Sequence, residues 1–255
     1  MSTDPLLAGA RGLWEGWAGA SVSFSGAGSL SVVVSPESGI CPGGWVGVVA
    51  LGGSAIATAP NERAAGIVRD ALAPLPVGAV VDADAIRRVL PVAEVLGPAA
   101  LAYVSPDHFR PVRDGGAMTV ERLPGGHADL RELEESVGAE EAGEASLGAI
   151  SSPAFVVRED ERVVAAAGYE LWPGRAAHVS VLTGREWRGR GLARLTASAA
   201  VAHALAAGLL PQWRARVPAS RRVAAALGFR ELGAQLSLSI TWPASPHADP
   251  AANGR

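Results

Sequence analysis

The sequence contains no lysine: all 22 basic residues are arginine. A Walker A phosphate loop needs a lysine after its glycines, and Schiff-base catalysis needs a lysine amine, so this chain supplies neither. A GC-rich codon bias towards Arg, Ala and Gly accounts for most of the absence. Cysteine is almost as scarce. Cys41 stands alone, which excludes an intrachain disulfide and fits a reducing, cytoplasmic setting. The five histidines and one cysteine show no ligand spacing, so no metal site is expected. No Gly-x-Ser-x-Gly or Cys/His arrangement points to a protein nucleophile. No basic-then-apolar leader is expected from the start (MSTDPLLAGARGLWEGW), which is broken by charge and glycine. The longest apolar stretches, near Val46–Ala59 and Ala197–Leu210, are interrupted by glycine or histidine. They fall short of the roughly 20 residues a membrane span needs. With a net charge of −3 there is no basic surface to suggest nucleic acid as a partner.

What is present suits a globular protein with a real core: 255 residues, 49% apolar and 18% charged. Residues 1–115 read as a smaller α+β domain. Apolar runs at Ala20–Phe24, Leu30–Val34, Trp45–Leu51 and Ala55–Thr58 look like strands separated by Gly and Ser turns. Asn61 is placed to cap a helix reaching Leu72, and Asp82 or Asp84 to start a second one, ended by Pro91. Leu101–Val104 reads as a further strand. The pairs Gly43-Gly44 and Gly52-Gly53 lack phosphate-loop spacing and read as hairpin turns. Nothing groups Glu94, Asp107 and His108 into a site. A scaffold or a homodimerisation role is the expectation for this half, with a degenerate copy of the second half as the alternative.

Around 111–116 (PVRDGG) the chain turns polar and glycine-rich, so a second domain is expected over 116–243, followed by a disordered Pro/Ala/Asp-rich tail at 244–255. After a strand at Met118–Leu123, His127–Val137 has helical spacing through Leu130, Leu133 and Val137. A second helical piece is expected near Glu140–Leu147. Glu134, Glu135, Glu140, Glu141 and Glu144 make this the most acidic stretch, readable as a solvated face or as a surface that attracts a cationic amine. Strands at Ala154–Arg158, Val163–Trp172 and Ala176–Thr183 follow with short turns, an antiparallel meander. A long helix at Gly191–Ala207, a strand at Gln212–Val217, a helix at Ser220–Leu227 and a strand at Phe229–Ile240 complete the pattern.

The junction of the third meander strand with the long helix is the most specific stretch. A helix N-terminus leaves N–H groups unpaired and carries partial positive charge, and glycines at 189 and 191 let an anion approach it. Arg185, Arg188, Arg190 and Arg194 crowd that end, where cations are unfavourable, and Glu186 is expected to be the only opposite charge nearby. Such a cluster is expected to hold an anion; the alternative is a solvated basic turn. A Rossmann turn needs Gly or Ala where Arg194 stands, and the meander is not a βαβ unit.

The order of strand, R-G-R-G-L-A, long helix, strand, short helix and G-F resembles the GCN5-related N-acetyltransferase (GNAT) family. Its signature Q/R-x-x-G-x-G/A corresponds to Glu186-Trp187-Arg188-Gly189-Arg190-Gly191, with Glu186 departing from the usual first residue. The resemblance covers about residues 117–241. Ser220 with the following L-G-F, after a strand bearing Pro211 and Trp213, is similar to the zwittermicin-resistance branch. The resemblance implies an α/β (α+β) fold, with a mixed, mainly antiparallel sheet flanked by helices. It implies acetyl-CoA as co-substrate, a small amine as acceptor, and direct attack of that amine on the thioester. Pantetheine would pair with the backbone of Val181, Leu182 and Thr183. The pyrophosphate would rest on N–H groups of Arg188, Gly189, Arg190, Gly191, Leu192 and Ala193, with Arg194 beside them.

The family's usual acid, a tyrosine four residues before the Gly-Phe step, is replaced by Ala224, and Val217 stands where an asparagine is common. Either Ser220 or water is then left to donate the proton, or the transfer needs no strong acid. Glu170, in a largely apolar strand, is the first candidate for general base, with a solvated residue on a half-exposed strand as the equal alternative, and His178 is the second. His203 reads as a packed histidine, and Trp172 and Trp213 as core or cleft wall. Three readings stay open: an active N-acetyltransferase, a catalytically inactive acyl-CoA-binding or regulatory module, and a structural interaction protein, the last disfavoured by the intact glycines.

Overall fold

The computed structural model describes residues 4–112 and 118–241. The boundary expected near 111–116 lies largely outside these residues, and the 244–255 tail wholly so. The first half runs α1 (Pro5–Trp17), β1 (Leu30–Val34), β2 (Val46–Leu51), β3 (Ser54–Ala59), α2 (Glu62–Leu72), α3 (Ala83–Arg87) and β4 (Val92–Tyr103). The second runs β5 (Glu121–Leu123), α4 (Ala128–Val137), α5 (Ala139–Ala145), β6 (Ala154–Glu159), β7 (Arg162–Trp172), β8 (Ala176–Thr183), α6 (Leu192–Ala206), β9 (Leu210–Ala215), α7 (Pro218–Ala226) and β10 (Arg230–Ile240).

All ten strands form one sheet in the order β1-β3-β2-β10-β4-β9-β8-β7-β6-β5. The pairings are antiparallel except β1 with β3 and β8 with β9, so the sheet is mixed and mainly antiparallel, as expected. The two halves are interleaved in it. β10 lies between β2 and β4, and β4 lies between β10 and β9. Nothing in local periodicity announces this pairing, because the partners are more than a hundred residues apart.

Local signals explain most helix starts. The Asn61 side chain accepts from the Ala64 N–H at 2.9 Å, and Asp82 accepts from the Ala85 N–H at 2.8 Å. Helix α1 is not anticipated by the apolar pattern, because Gly9, Gly12 and Gly16 dilute it. Its start is legible in hindsight: Asp4 accepts from the Leu6 N–H at 3.1 Å and Pro5 occupies the first turn. Leu6, Ala10, Leu13 and Trp14 form its buried stripe. The strand expected at Ala20–Phe24 does not form. That stretch is irregular, pinned instead by the Phe24 N–H donating to the Glu15 carboxylate at 2.8 Å. The strand expected from Met118 shortens to three residues, and that at Leu101–Val104 lengthens to twelve.

Side chains alternate across the sheet between two cores. Val46, Val48, Ala50, Leu236 and Leu238 meet α2 and α3, while Val49, Leu51, Leu101 and Tyr103 meet α1. That double burial is why β2 is apolar throughout rather than alternating, and β3 nearly so, Ser54 and Thr58 excepted. Farther along, Val179, Trp213 and Ala215 pack under α6 and α7, and Val156, Ala166 and Leu182 under α4. Thus α2, α3, α6 and α7 cover one face, and α1, α4 and α5 the other. Among the described residues no helix is long and apolar enough to cross a membrane.

Candidate functional site

The site begins where two parallel strands part. β8 and β9 pair only at Ala176–Leu210, Ala177–Pro211 and His178–Gln212. Beyond that β8 continues to Thr183 and β9 to Ala215, without pairing to each other. Backbone groups of Val179–Thr183 on the β9 side therefore face an opening, while their other edge is zipped to β7 as far as Ala165–Thr183. Unpaired strand backbone of this kind is a ready hydrogen-bonding edge for an extended ligand. The Thr183 hydroxyl is buried and has no partner among the described residues.

β8 leads into a turn whose Gly189 and Gly191 sit at φ +77° and +80°. That left-handed conformation strains any side chain. Nothing lies within 4 Å of where a Cβ on either would stand, so the space above the backbone is open. Gly191 is the N-cap of α6 and offers no side chain, and the first intrahelical bond is Leu195 N–H to the Gly191 carbonyl at 3.0 Å. The preceding N–H groups of the first turn are left to an external acceptor. Leu182 and Leu192 turn their side chains into the core, so only their backbone belongs to this opening.

The arginines at this turn are partly neutralised by a residue far away in sequence, which corrects the view that Glu186 is the sole opposite charge nearby. Glu141 of α5 pairs with Arg185 at 3.1 Å through one oxygen and with Arg188 through the other. The Arg188 hydrogen bond is the main reason its carboxyl is held below the ordinary range. Arg188 also donates to the Thr183 carbonyl at 3.3 Å, and Arg190 lies over the Trp187 ring at 4.4 Å. Arg194 has no ion pair among the described residues. Glu144 clasps Arg216 of β9 through both oxygens. The acidic stretch is thus neither a plain solvated face nor a free anionic surface: α5 is tied by Glu141 to the glycine turn and by Glu144 to β9.

A cavity of about 380 Å³ opens on the α1/α4/α5 face. Its floor comes from Glu170 and Trp172 on β7, His178 on β8 and Arg214 on β9, all projecting the same way because strand alternation fixes their side. Glu170 and His178 are direct register partners. Glu170 accepts from the Trp172 indole N–H at 2.9 Å. Trp172 stacks on His178 at 4.1 Å and 17°, and Trp17 of α1 backs Trp172 at 4.2 Å. Burial, with the Arg214 charge second, pushes the His178 pKa down to about 4, so the imidazole is neutral at neutral pH. Its Nδ1 is buried, and the Gln212 side chain beside it partly offsets the fall.

The first half supplies part of this cavity, which no sequence motif foretold. Leu96, Gly97 and Ala99 of β4 form one wall. Beneath the floor, the Tyr103 hydroxyl accepts from Trp14 Nε1 at 2.7 Å and from Gln212 Nε2 at 2.9 Å. Burial raises this phenol to about 12. Gln212 is in turn the strand partner of His178. The structure therefore brings Glu170 and His178 together but does not bring Ser220 to them. Ser220 lies on α7, on the other face, where its hydroxyl accepts from Trp213 Nε1 at 2.9 Å. Trp213 itself packs edge-on against Phe229, away from the cavity. His203 meets the Tyr169 hydroxyl at 2.9 Å on that same far face. Neither Arg214 nor Tyr103 was singled out by the sequence; the signal available was the alternation of Gln212 and Arg214 with Trp213.

Residues 152–234, about a third of the chain and spanning β6 into β10, match the family model described as GNAT acetyltransferase. No curated protein matches the chain. Among solved structures, a putative GNAT-family acetyltransferase from Novosphingobium aromaticivorans is 26% identical. That match covers 58% of this chain and 65% of the other, with a TM-score of 0.45. A GCN5-related N-acetyltransferase from Kribbella flavida is 17% identical over 64% of each chain, with a TM-score of 0.47. YncA of Salmonella typhimurium, a putative acetyltransferase whose structure is described with its cofactor acetyl-CoA, is 19% identical. It covers 52% of this chain and 100% of that one, with a TM-score of 0.37. The chain thus spans somewhat under two thirds of the length of the first two.

Proposed function

We propose that the protein is an acyltransferase that moves an acetyl group from acetyl-CoA to the amine of a small molecule, by direct attack of the amine on the thioester. The observation that carries this reading is the parting of β8 from β9 directly before the glycine turn and the uncapped start of α6. The match of residues 152–234 to the GNAT acetyltransferase model supports it independently. The residues present fit the co-substrate: open space above Gly189 and Gly191 admits phosphate oxygens, and the unpaired edge at Val181–Thr183 suits an amide-bearing arm. When bound, acetyl-CoA supplies the activated acyl group.

The chain's own part is to bind, orient and move a proton. N–H groups from Arg188 to Ala193 hold the anion, aided by Arg188, Arg190 and Arg194. Glu170 is the base, its carboxylate positioned by the Trp172 indole. Neutral His178 beside it presents no positive charge to repel an incoming ammonium. Ser220, across the sheet from Glu170, accepts from Trp213 and is the side-chain candidate to protonate the departing thiolate.

One observation favours a second reading. Ala224, where the family resemblance expects a tyrosine, is buried in the apolar packing under α7, so an acyl-CoA-binding module without turnover is the alternative. Thermal stabilisation by acetyl-CoA, followed by thiol release with a panel of amines, separates the two. Millimolar acetyl-CoA without effect on the melting temperature removes both; stabilisation without thiol release on any amine selects the second. Gly191→Asp places a carboxylate in the anion cradle and is expected to abolish the stabilisation; retained stabilisation relocates the site.

A further inference from the structure

Arg214 is the one cation of the cavity floor without a partner carboxylate among the described residues. The carboxylate that acts on it, Glu144, is already clasped by the Nε and terminal nitrogen of Arg216. What Arg214 does have is an aromatic surface, with its Cζ 6.0 Å from the centre of the Trp172 ring. Arg214 is exposed along β9 and lines the cavity next to Arg216, so its guanidinium is open to an anion that enters there. Two strands away, the same floor carries Glu170, an acceptor for a cation, beside a neutral His178. The cavity is therefore bipolar: acceptors at the β7/β8 end, and at the β9 end two arginines that share the one carboxylate of Glu144.

We propose that the acceptor is a zwitterion, an amino acid or a close relative, whose carboxylate pairs with Arg214 while its amine lies at Glu170. The inference rests on the N-acetyltransferase reading and deepens it. A guanidinium recognises a carboxylate through two parallel hydrogen bonds. The same charge disfavours plain diamines and polyamines, which bring only positive charge to a cavity that already holds it. The volume of about 380 Å³ accommodates an amino acid and lies near the lower end of the range for small-molecule sites, roughly 300–1,000 Å³.

The test uses the full chain with acetyl-CoA and three sets of acceptors: free amino acids, their carboxamides, and phosphoethanolamine. Free acids are expected to exceed their carboxamides in kcat/KM by at least about tenfold, mainly through KM. In Arg214→Gln that ratio is expected to fall towards one, and Arg214→Lys to restore part of it. Equal rates for acids and carboxamides in the unaltered protein, or an acid-to-carboxamide ratio that survives Arg214→Gln, overturn the proposal while leaving acetyl transfer intact. A preference for phosphoethanolamine over every free acid overturns the carboxylate assignment in favour of phosphate. Where no amine is turned over, the transfer reading fails, and melting curves with free amino acids and CoA decide the site separately. Stabilisation lost in Arg214→Gln upholds the carboxylate site; no stabilisation by any amino acid overturns it.

Discussion

Acidification tests the electrostatic character of the cavity floor through His178. In the folded protein its pKa is pulled from 6.5 to about 4, chiefly by burial and next by Arg214. An unfolded chain binds a proton at this residue near its ordinary value, so between those limits the unfolded state carries more protons and stability rises with pH. The stabilisation is fully present above pH 6.5 and is lost as pH falls towards 4. The shift corresponds to roughly 3 kcal/mol, of which roughly 2 kcal/mol is lost between pH 7 and pH 5. The carboxylates held low by arginine, among them Asp4, Asp129 and Glu231, titrate mostly below that window. Urea unfolding at pH 7 and pH 5, for the natural protein and for His178→Gln, isolates the contribution: the variant should lose about 2 kcal/mol less. Equal losses in the two proteins would refute a buried, neutral imidazole at this position.

Three further outcomes follow from the site and its frame. Glu170→Gln is expected to lower turnover by roughly a hundredfold or more while the calorimetric affinity for acetyl-CoA holds, as removal of a general base does; an unaltered rate rejects Glu170 as that base. Glu141→Gln frees Arg185 and Arg188 from their internal counter-ion, so acetyl-CoA should bind more tightly at low ionic strength and with a steeper salt dependence; unchanged affinity would place those arginines away from the phosphates. At Gly233 of β10 a Cβ would stand 1.8 Å from the Ala50 carbonyl oxygen of β2, and Gly233→Ala should cost about 3 kcal/mol or leave the chain insoluble. An unchanged melting temperature would show that β10 does not lie against β2.

The order of elements from β6 to β10 was legible because each carries a local cause: alternation in β8, glycines before α6, the Gly228 stop after α7. The turn at Gly189 and Gly191 was legible for the same reason, since positive φ and exposed N–H groups are properties of neighbouring residues. The partners of that turn were not. Glu141 and Glu144 look like solvated helix residues until α5 is laid beside β8 and β9. Arg214 gains its meaning from Glu144 being occupied elsewhere, a fact about three residues from separate elements. The role of the first half was invisible for the same reason. Tyr103 and Trp14 carry no motif, yet their hydrogen bonds support Gln212 beneath His178. Helix α1 has no such signal because its glycines thin the stripe of Leu6, Ala10, Leu13 and Trp14.

The place of β10 has a consequence for how the chain is made. It follows every other strand in sequence, yet it fills the slot between β2 and β4. Until residues 230–240 have been synthesised, β2 and β4 lack the strand that pairs with both of them in the finished sheet. Each presents an open edge, the feature that recruits foreign strands. Biogenesis therefore carries a period of exposure set by the translation of more than a hundred intervening residues, and release from a chaperone before β10 docks favours pairing between nascent chains over closure within one.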